Sequence, residues 1–158
     1  MSFPKVGNLA PVFTLKNQRD EKVALKDFRG KKNVLVYFYP KAMTPGCTTQ
    51  ACGIRDTRAE FEALDTVVLA ISPDPVARLA KFEEKHELNF DLLSDEDHAV
   101  ADKYGAWGLK KFMGREFMGV LRTSFFIDKE GRLRHIFDKV KTKSHDQDAL
   151  DWLKSQFG

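Results

Sequence analysis

The chain has 158 residues, 42% hydrophobic and 31% charged, with a formal net charge of +3. This is enough for one domain, residues 1–158, with a substantial core, and too apolar for a disordered chain. Acidic and basic residues are interspersed, so Lys31-Lys32 and the lysines from Lys139 to Lys143 read as solvated turns, not a nucleic-acid face. The start, Met1-Ser2-Phe3-Pro4-Lys5, lacks the apolar stretch of a signal peptide, and the longest apolar run has strand length, so no membrane span is expected.

Phe13 to Leu15 and Val23 to Leu25 alternate around the polar turn Gln18-Arg19-Asp20-Glu21 and predict a small N-terminal hairpin. Val34 to Tyr39 is a continuous apolar run, as in a strand covered on both faces, and Pro40 ends it. A helix is predicted from Thr44 to Leu64, with Ile54, Phe61 and Leu64 on its apolar side. Thr44 suits the N-cap and Pro45 the first helical position. Val67 to Ile71 reads as the next buried strand, which completes a βαβ unit with a right-handed crossover. Asp74-Pro75 opens a helix carrying Val76, Leu79, Ala80 and Phe82. Phe90 to Leu93 is a short strand, and Asp97 to Tyr104 a short helix ended by Gly105. The aromatic-rich segment Trp107 to Met113 reads as ordinary loop packing, with a partner or lipid-peroxide contact as the other reading. Val120 to Ile127 and Leu133 to Phe137 predict a second hairpin across Asp128-Lys129-Glu130-Gly131. Ser144 and Gln147 form a capping box for a final helix whose inward face is Ala149, Leu150, Leu153 and Phe157. The pattern is α/β: a mixed central sheet with helices on both faces and an added N-terminal hairpin.

The chemistry concentrates at Tyr39-Pro40-Lys41-Ala42-Met43-Thr44-Pro45-Gly46-Cys47. A buried strand delivers Cys47 to the first turn of a helix, where unpaired backbone N–H groups and the helix dipole favour negative charge. A thiol in such a place ionises more readily than a free one, and the thiolate is the reactive species. Gly46 lets a substrate approach the backbone. The one other cysteine, Cys52, lies five residues on. In an intact α-helix that spacing separates Cα atoms by about 8.6 Å, whereas a disulfide needs less than about 7 Å. The two can bridge only if the first turns unwind, and Gly53 weakens the helix there by about 1 kcal/mol. The spacing is not C-x-x-C. The four histidines, His86, His98, His135 and His145, show no ligand spacing, and no Gly-rich dinucleotide motif is visible, so no metal and no cofactor is expected.

Pro40, Thr44 and Cys47 match Pro-x-x-x-Thr/Ser-x-x-Cys, and the stretch Lys41-Ala42-Met43-Thr44-Pro45-Gly46-Cys47 continues through Ala51-Cys52-Gly53 to Arg55-Asp56. With Leu92-Leu93-Ser94-Asp95 and Arg122-Thr123-Ser124-Phe125-Phe126-Ile127-Asp128, the chain resembles a peroxiredoxin of the bacterioferritin comigratory protein or peroxiredoxin Q subgroup over its whole length. The resemblance implies a thioredoxin-like fold and a thiol-dependent peroxidase acting on hydrogen peroxide and organic hydroperoxides. It implies Cys47 as the peroxidatic and Cys52 as the resolving cysteine, with Pro40, Thr44 and Arg122 completing the site. Arg122 is expected in a strand of the second hairpin, and Arg55 is a more distant supporting candidate. Many members carry Glu three residues after the peroxidatic cysteine; here the position is Gln50.

The expected partners are a peroxide and a thioredoxin or glutaredoxin-like reductant, with no nucleic acid and no membrane, and a monomer in a reducing cytoplasm. Two other readings stay open on the residues themselves. A cysteine hydrolase would need a histidine base beside Cys47. A redox sensor would use the same two thiols without sustained turnover.

Overall fold

The computed structural model describes residues 3–157, apart from the side chains of Phe112 and Phe157. Met1, Ser2 and the inward contact expected of Phe157 therefore lie outside the described residues. The order of elements is β1 (Thr14–Lys16), β2 (Lys22–Ala24), β3 (Asn33–Phe38), α1 (Pro45–Ala63), β4 (Thr66–Ser72), α2 (Val76–His86), β5 (Asp91–Ser94), α3 (Ala99–Lys103), β6 (Trp107–Phe112), β7 (Arg115–Val120), β8 (Thr123–Ile127), β9 (Leu133–Phe137) and α4 (His145–Phe157). A single turn of 3-10 helix, Leu25–Phe28, follows β2.

Seven strands form one mixed sheet in the order β2-β1-β5-β4-β3-β8-β9. Strands β3, β4 and β5 run parallel, and β8 lies antiparallel to β3 and β9. All six residues of β3 and all five of β8 are buried, as expected of strands covered on both faces. The N-terminal hairpin joins the sheet edge through Lys16 opposite Ser94.

Helices cover both faces. Ile54 and Phe61 of α1, Leu79 and Phe82 of α2, and Leu150 and Leu153 of α4 share a core with Leu35, Tyr37, Ala70 and Phe126. On the other face Val100 and Ala101 of α3 pack with Phe13, Leu25, Val36, Phe38, Ile71 and Phe125. Each large side chain fully buried here contributes about 1.5–3 kcal/mol of hydrophobic stabilisation.

Several expectations need correction. Val120 to Ile127 is not one strand. β7 ends at Val120 and β8 begins at Thr123, with Leu121-Arg122 between them. The Leu121 N–H donates to the Ala106 carbonyl at 2.7 Å, which turns the chain from one ladder into another. Trp107 to Met113 is not a loop: its first six residues are β6, paired with β7 as a separate hairpin. The turn has positive φ at both Met113 (51°) and Gly114 (77°), the requirement of a tight hairpin with right-handed strand twist. Helix α3 starts at Ala99 and not at Asp97, because the buried Asp95 carboxylate accepts from the N–H groups of Val100 and Ala101. The Ser144 hydroxyl donates to Asp148, one turn into α4, and not within a Ser144–Gln147 box.

Candidate active site

The carboxyl end of β3 places Pro40 half-buried, and the chain then turns through Ala42 and Met43 into α1. Met43 takes a left-handed conformation, φ 67°, uncommon outside glycine. Side chains from the next crossover hold this turn. The Asp74 carboxylate accepts from the Ala42 N–H at 2.8 Å and from the Ser72 hydroxyl at 2.7 Å. Arg78 pairs with Asp74 at 3.2 Å and donates to the Ala42 carbonyl at 2.8 Å. Asp74, expected only to open α2, is thus a buried clamp on the loop that carries the thiol.

Thr44 stands at the N-cap with extended backbone, and Pro45 occupies the first turn. The Thr44 hydroxyl does not cap the helix; it donates to the Lys41 carbonyl at 2.9 Å. Its lone pairs stay free to accept. Cys47 follows in the first turn, 2% exposed, and Cys52 is half-buried; both thiols are free. Both lie within the unbroken helix α1.

Arg122 reaches Cys47 from the β7–β8 junction, not from within a strand. Its Nη2 donates to Cys47 Sγ at 3.2 Å, and its Nη1 donates to Gln50 Oε1 at 2.7 Å. One guanidinium therefore holds the sulfur and the side chain one turn further along the helix in a fixed fork. Gln50, 1% exposed, meets Arg122 without a negative charge. Gly46 lies directly beside the guanidinium: a Cβ there would stand in ordinary contact, 3.7 Å from Arg122 Nη2 and 3.6 Å from Thr142. Lys110 of β6 is close enough to sense both Arg122 and Cys47. Burial lowers its pKa, and the Arg122 charge acts in the same direction.

Two residues that the sequence did not single out complete the cluster. Gln50 Nε2 lies 3.1 Å from His145 Nδ1, and His145 Nε2 lies 2.6 Å from Ser124 Oγ. His145 is 2% exposed, and the Tyr37 ring packs edge-on against it at 5.1 Å. Burial lowers the imidazole pKa to about 4; Asp148 opposes that shift and Arg122 adds to it. The only sequence signal for His145 was its place at the start of α4. Arg55 is not part of the cluster: it binds Asp56 and donates to the His86 carbonyl at the end of α2. Among the described residues no group of His, Cys, Asp or Glu is arranged to hold a metal ion, and no helix is long and apolar enough to cross a membrane.

The arrangement is a buried thiol at a helix start with a fixed cation against its sulfur, and it has parallels in known proteins. Residues 6–136 match the AhpC/TSA family. The chain is 59% identical over 150 residues to a putative peroxiredoxin Bcp of Haemophilus influenzae, covering 95% of this chain and 96% of that one. It is 53% identical to peroxiredoxin Bcp of Escherichia coli, with the same shares covered. Among solved structures, a cysteine-to-serine mutant of peroxiredoxin Q from Xylella fastidiosa superposes with a TM-score of 0.92 at 25% identity, covering 99% of both chains. The bacterioferritin comigratory protein of Xanthomonas campestris, studied for alkyl peroxide reduction, superposes with a TM-score of 0.86 at 28% identity over 92% of each chain. With the site geometry and these likenesses together, the chain belongs to the AhpC/TSA family and, within it, to the Bcp or peroxiredoxin Q peroxiredoxins.

Proposed function

We propose that residues 1–158 act as one peroxidatic domain in which Cys47 is the peroxidatic and Cys52 the resolving cysteine. The chain is a thiol-dependent peroxidase, and it uses a peroxide and a thiol reductant. The Cys47 thiolate attacks the terminal oxygen of a peroxide ROOH. The S–O bond forms as the O–O bond breaks, the sulfur is oxidised to a sulfenic acid, and the alkoxide leaves as ROH after taking up a proton. Charge develops on the leaving oxygen, so a preorganised cation beside the sulfur lowers the barrier. Arg122 is that cation, and its 3.2 Å contact with Sγ is the observation that carries this reading. The Thr44 hydroxyl, already donating to Lys41, is free to accept a hydrogen bond from the hydroperoxide O–H. Pro40 shields the thiolate from water.

Cys52 then attacks the Cys47 sulfenic acid; the S–S bond forms and water leaves. Both cysteines sit in the intact helix, so residues 45–52 unwind for this step. A thioredoxin or glutaredoxin-like dithiol restores both thiols by exchange. The hydroperoxide takes both inorganic and organic forms, the protein works as a monomer, and its transient disulfide suits a reducing cytoplasm.

The test is a coupled peroxidase assay with hydrogen peroxide and an organic hydroperoxide. Wild type consumes reductant continuously, and Cys47→Ser does not, since a hydroxyl stays un-ionised at neutral pH. Wild-type turnover by Cys47→Ser would overturn the assignment.

A further inference from the structure

We propose that His145 is a positioning residue for peroxide reduction: its Nδ1 lone pair fixes the amide of Gln50, so that Gln50 presents oxygen to Arg122 and holds the guanidinium against the Cys47 sulfur. The inference rests on the peroxidase reading above.

An amide has one accepting and one donating end. Arg122 has only donors, so the end of Gln50 that meets it at 2.7 Å must be oxygen. The other end, Nε2, must then donate to His145 Nδ1 at 3.1 Å. That leaves His145 one tautomer: Nδ1 bare, Nε2 carrying the hydrogen and donating to Ser124 Oγ at 2.6 Å. The direction of every bond from Arg122 to Ser124 is settled by the one group in the row that can only donate. Gln50, His145 and Ser124 are all buried, so water cannot stand in for a missing partner.

A protonated imidazole would carry a hydrogen on Nδ1 and drive the Gln50 amide round, turning its N–H groups toward Arg122. The environment opposes this. His145 is buried, the Arg122 cation lies on one side, and Asp148 is the acid that favours its charge. Tyr37, packed on the ring, is itself held far above its ordinary pKa by burial and brings no charge. His145 therefore acts through Gln50 and Arg122 and touches neither substrate nor sulfur.

The two nitrogens can be tested separately. Asn places an acceptor close to where Nδ1 stands and lacks the far nitrogen. Gln reaches the Nε2 position and lacks the near acceptor. The experiment measures the second-order rate constant for one oxidation of Cys47 by hydrogen peroxide at pH 7, by rapid mixing, in wild type, His145→Ala, His145→Asn and His145→Gln, together with each thermal midpoint. His145→Ala and His145→Gln should fall about tenfold, and His145→Asn should recover to within about threefold of wild type. The thermal midpoints of the Asn and Gln variants should drop together. Equal rates for Asn and Gln would overturn the inference, as would rates that follow the midpoints across all three variants. A wild type that is not oxidised at Cys47 would instead overturn the peroxidase reading, and this inference with it.

Discussion

The two halves of helix α1 are held in place by different physics. The later half is fixed by oil: Ile54 and Phe61 are fully buried in the core shared with α2, α4 and the sheet. The first turns bury little apolar bulk beyond Cys47 and Ala51 and are tied by directed polar bonds, Arg122 to Cys47 and Gln50, then Gln50 to His145. Between them lies Gly53, where an added Cβ would meet the Asp146 carboxylate of α4 at 3.1 Å. Polar bonds can be exchanged for bonds to water when the segment opens; apolar burial has no such replacement. A helix built this way can unwind its first turns while the rest stays packed, which is what a Cys47–Cys52 disulfide would require.

The largest effect expected is on turnover. Cys52→Ser should oxidise once at Cys47 and then stop cycling with a thioredoxin-type reductant, because the sulfenic acid has no internal partner and is open to overoxidation. In wild type, hydrogen exchange should quicken over residues 44–53 on oxidation and stay slow over 54–63. Fast exchange across the whole helix would erase the contrast between its halves. Mass spectrometry that finds no Cys47–Cys52 disulfide would remove the reason for it.

Arg122→Ala should slow the first oxidation by about two to three orders of magnitude, the usual loss for a preorganised donor at developing charge. Rapid-mixing kinetics with an unchanged rate constant would show that the 3.2 Å contact does not serve the reaction. Phe61→Ala tests the other half. It should cost about 3–5 kcal/mol of global stability in denaturant unfolding, because a full aromatic ring leaves a packed core. Its effect on the oxidation rate of the folded protein should be small, and a large one would mean that the halves are coupled.

The smallest effect is set by acid. The His145 pKa is about 4 in the fold against an ordinary 6.5, so the unfolded chain takes up the proton first. Stability is complete above about pH 6.5 and falls as pH drops toward 4, by at most about 3 kcal/mol from this group. Urea unfolding between those limits should show a shallower loss in His145→Asn than in wild type. Identical slopes would place the acid sensitivity elsewhere.

Much of this was legible in the sequence, for local reasons. The apolar run into Pro40 and the Thr44-Pro45 pair mark the end of β3 and the start of α1, because each acts on its own backbone. The β6–β7 hairpin was not legible: Gly108, Lys110 and Lys111 weaken the strand pattern, and the turn at Met113-Gly114 carries its signal in φ, not in a strong dipeptide. The break at Leu121-Arg122 was hidden because buried Val120 and buried Thr123 to Ile127 read as one apolar strand, although they belong to different sheets. His98 and Trp107 give a further case, their rings stacked at 3.7 Å with no local signal for the contact.

By itself the sequence determined where the Cys47 thiol sits, at the first turn of a helix behind a buried strand, and that Cys52 stands too far along the helix to reach it. Both follow from spacing along one element, which helical geometry converts directly into distance. The tertiary structure alone decided what faces that thiol. Arg122 is 75 residues from Cys47, and His145 is 95 from Gln50. Such pairs meet only because the order of strands in the sheet brings β8 beside β3 and packs α4 against α1. Once they meet, burial fixes the direction of each bond, since a buried donor must find an acceptor.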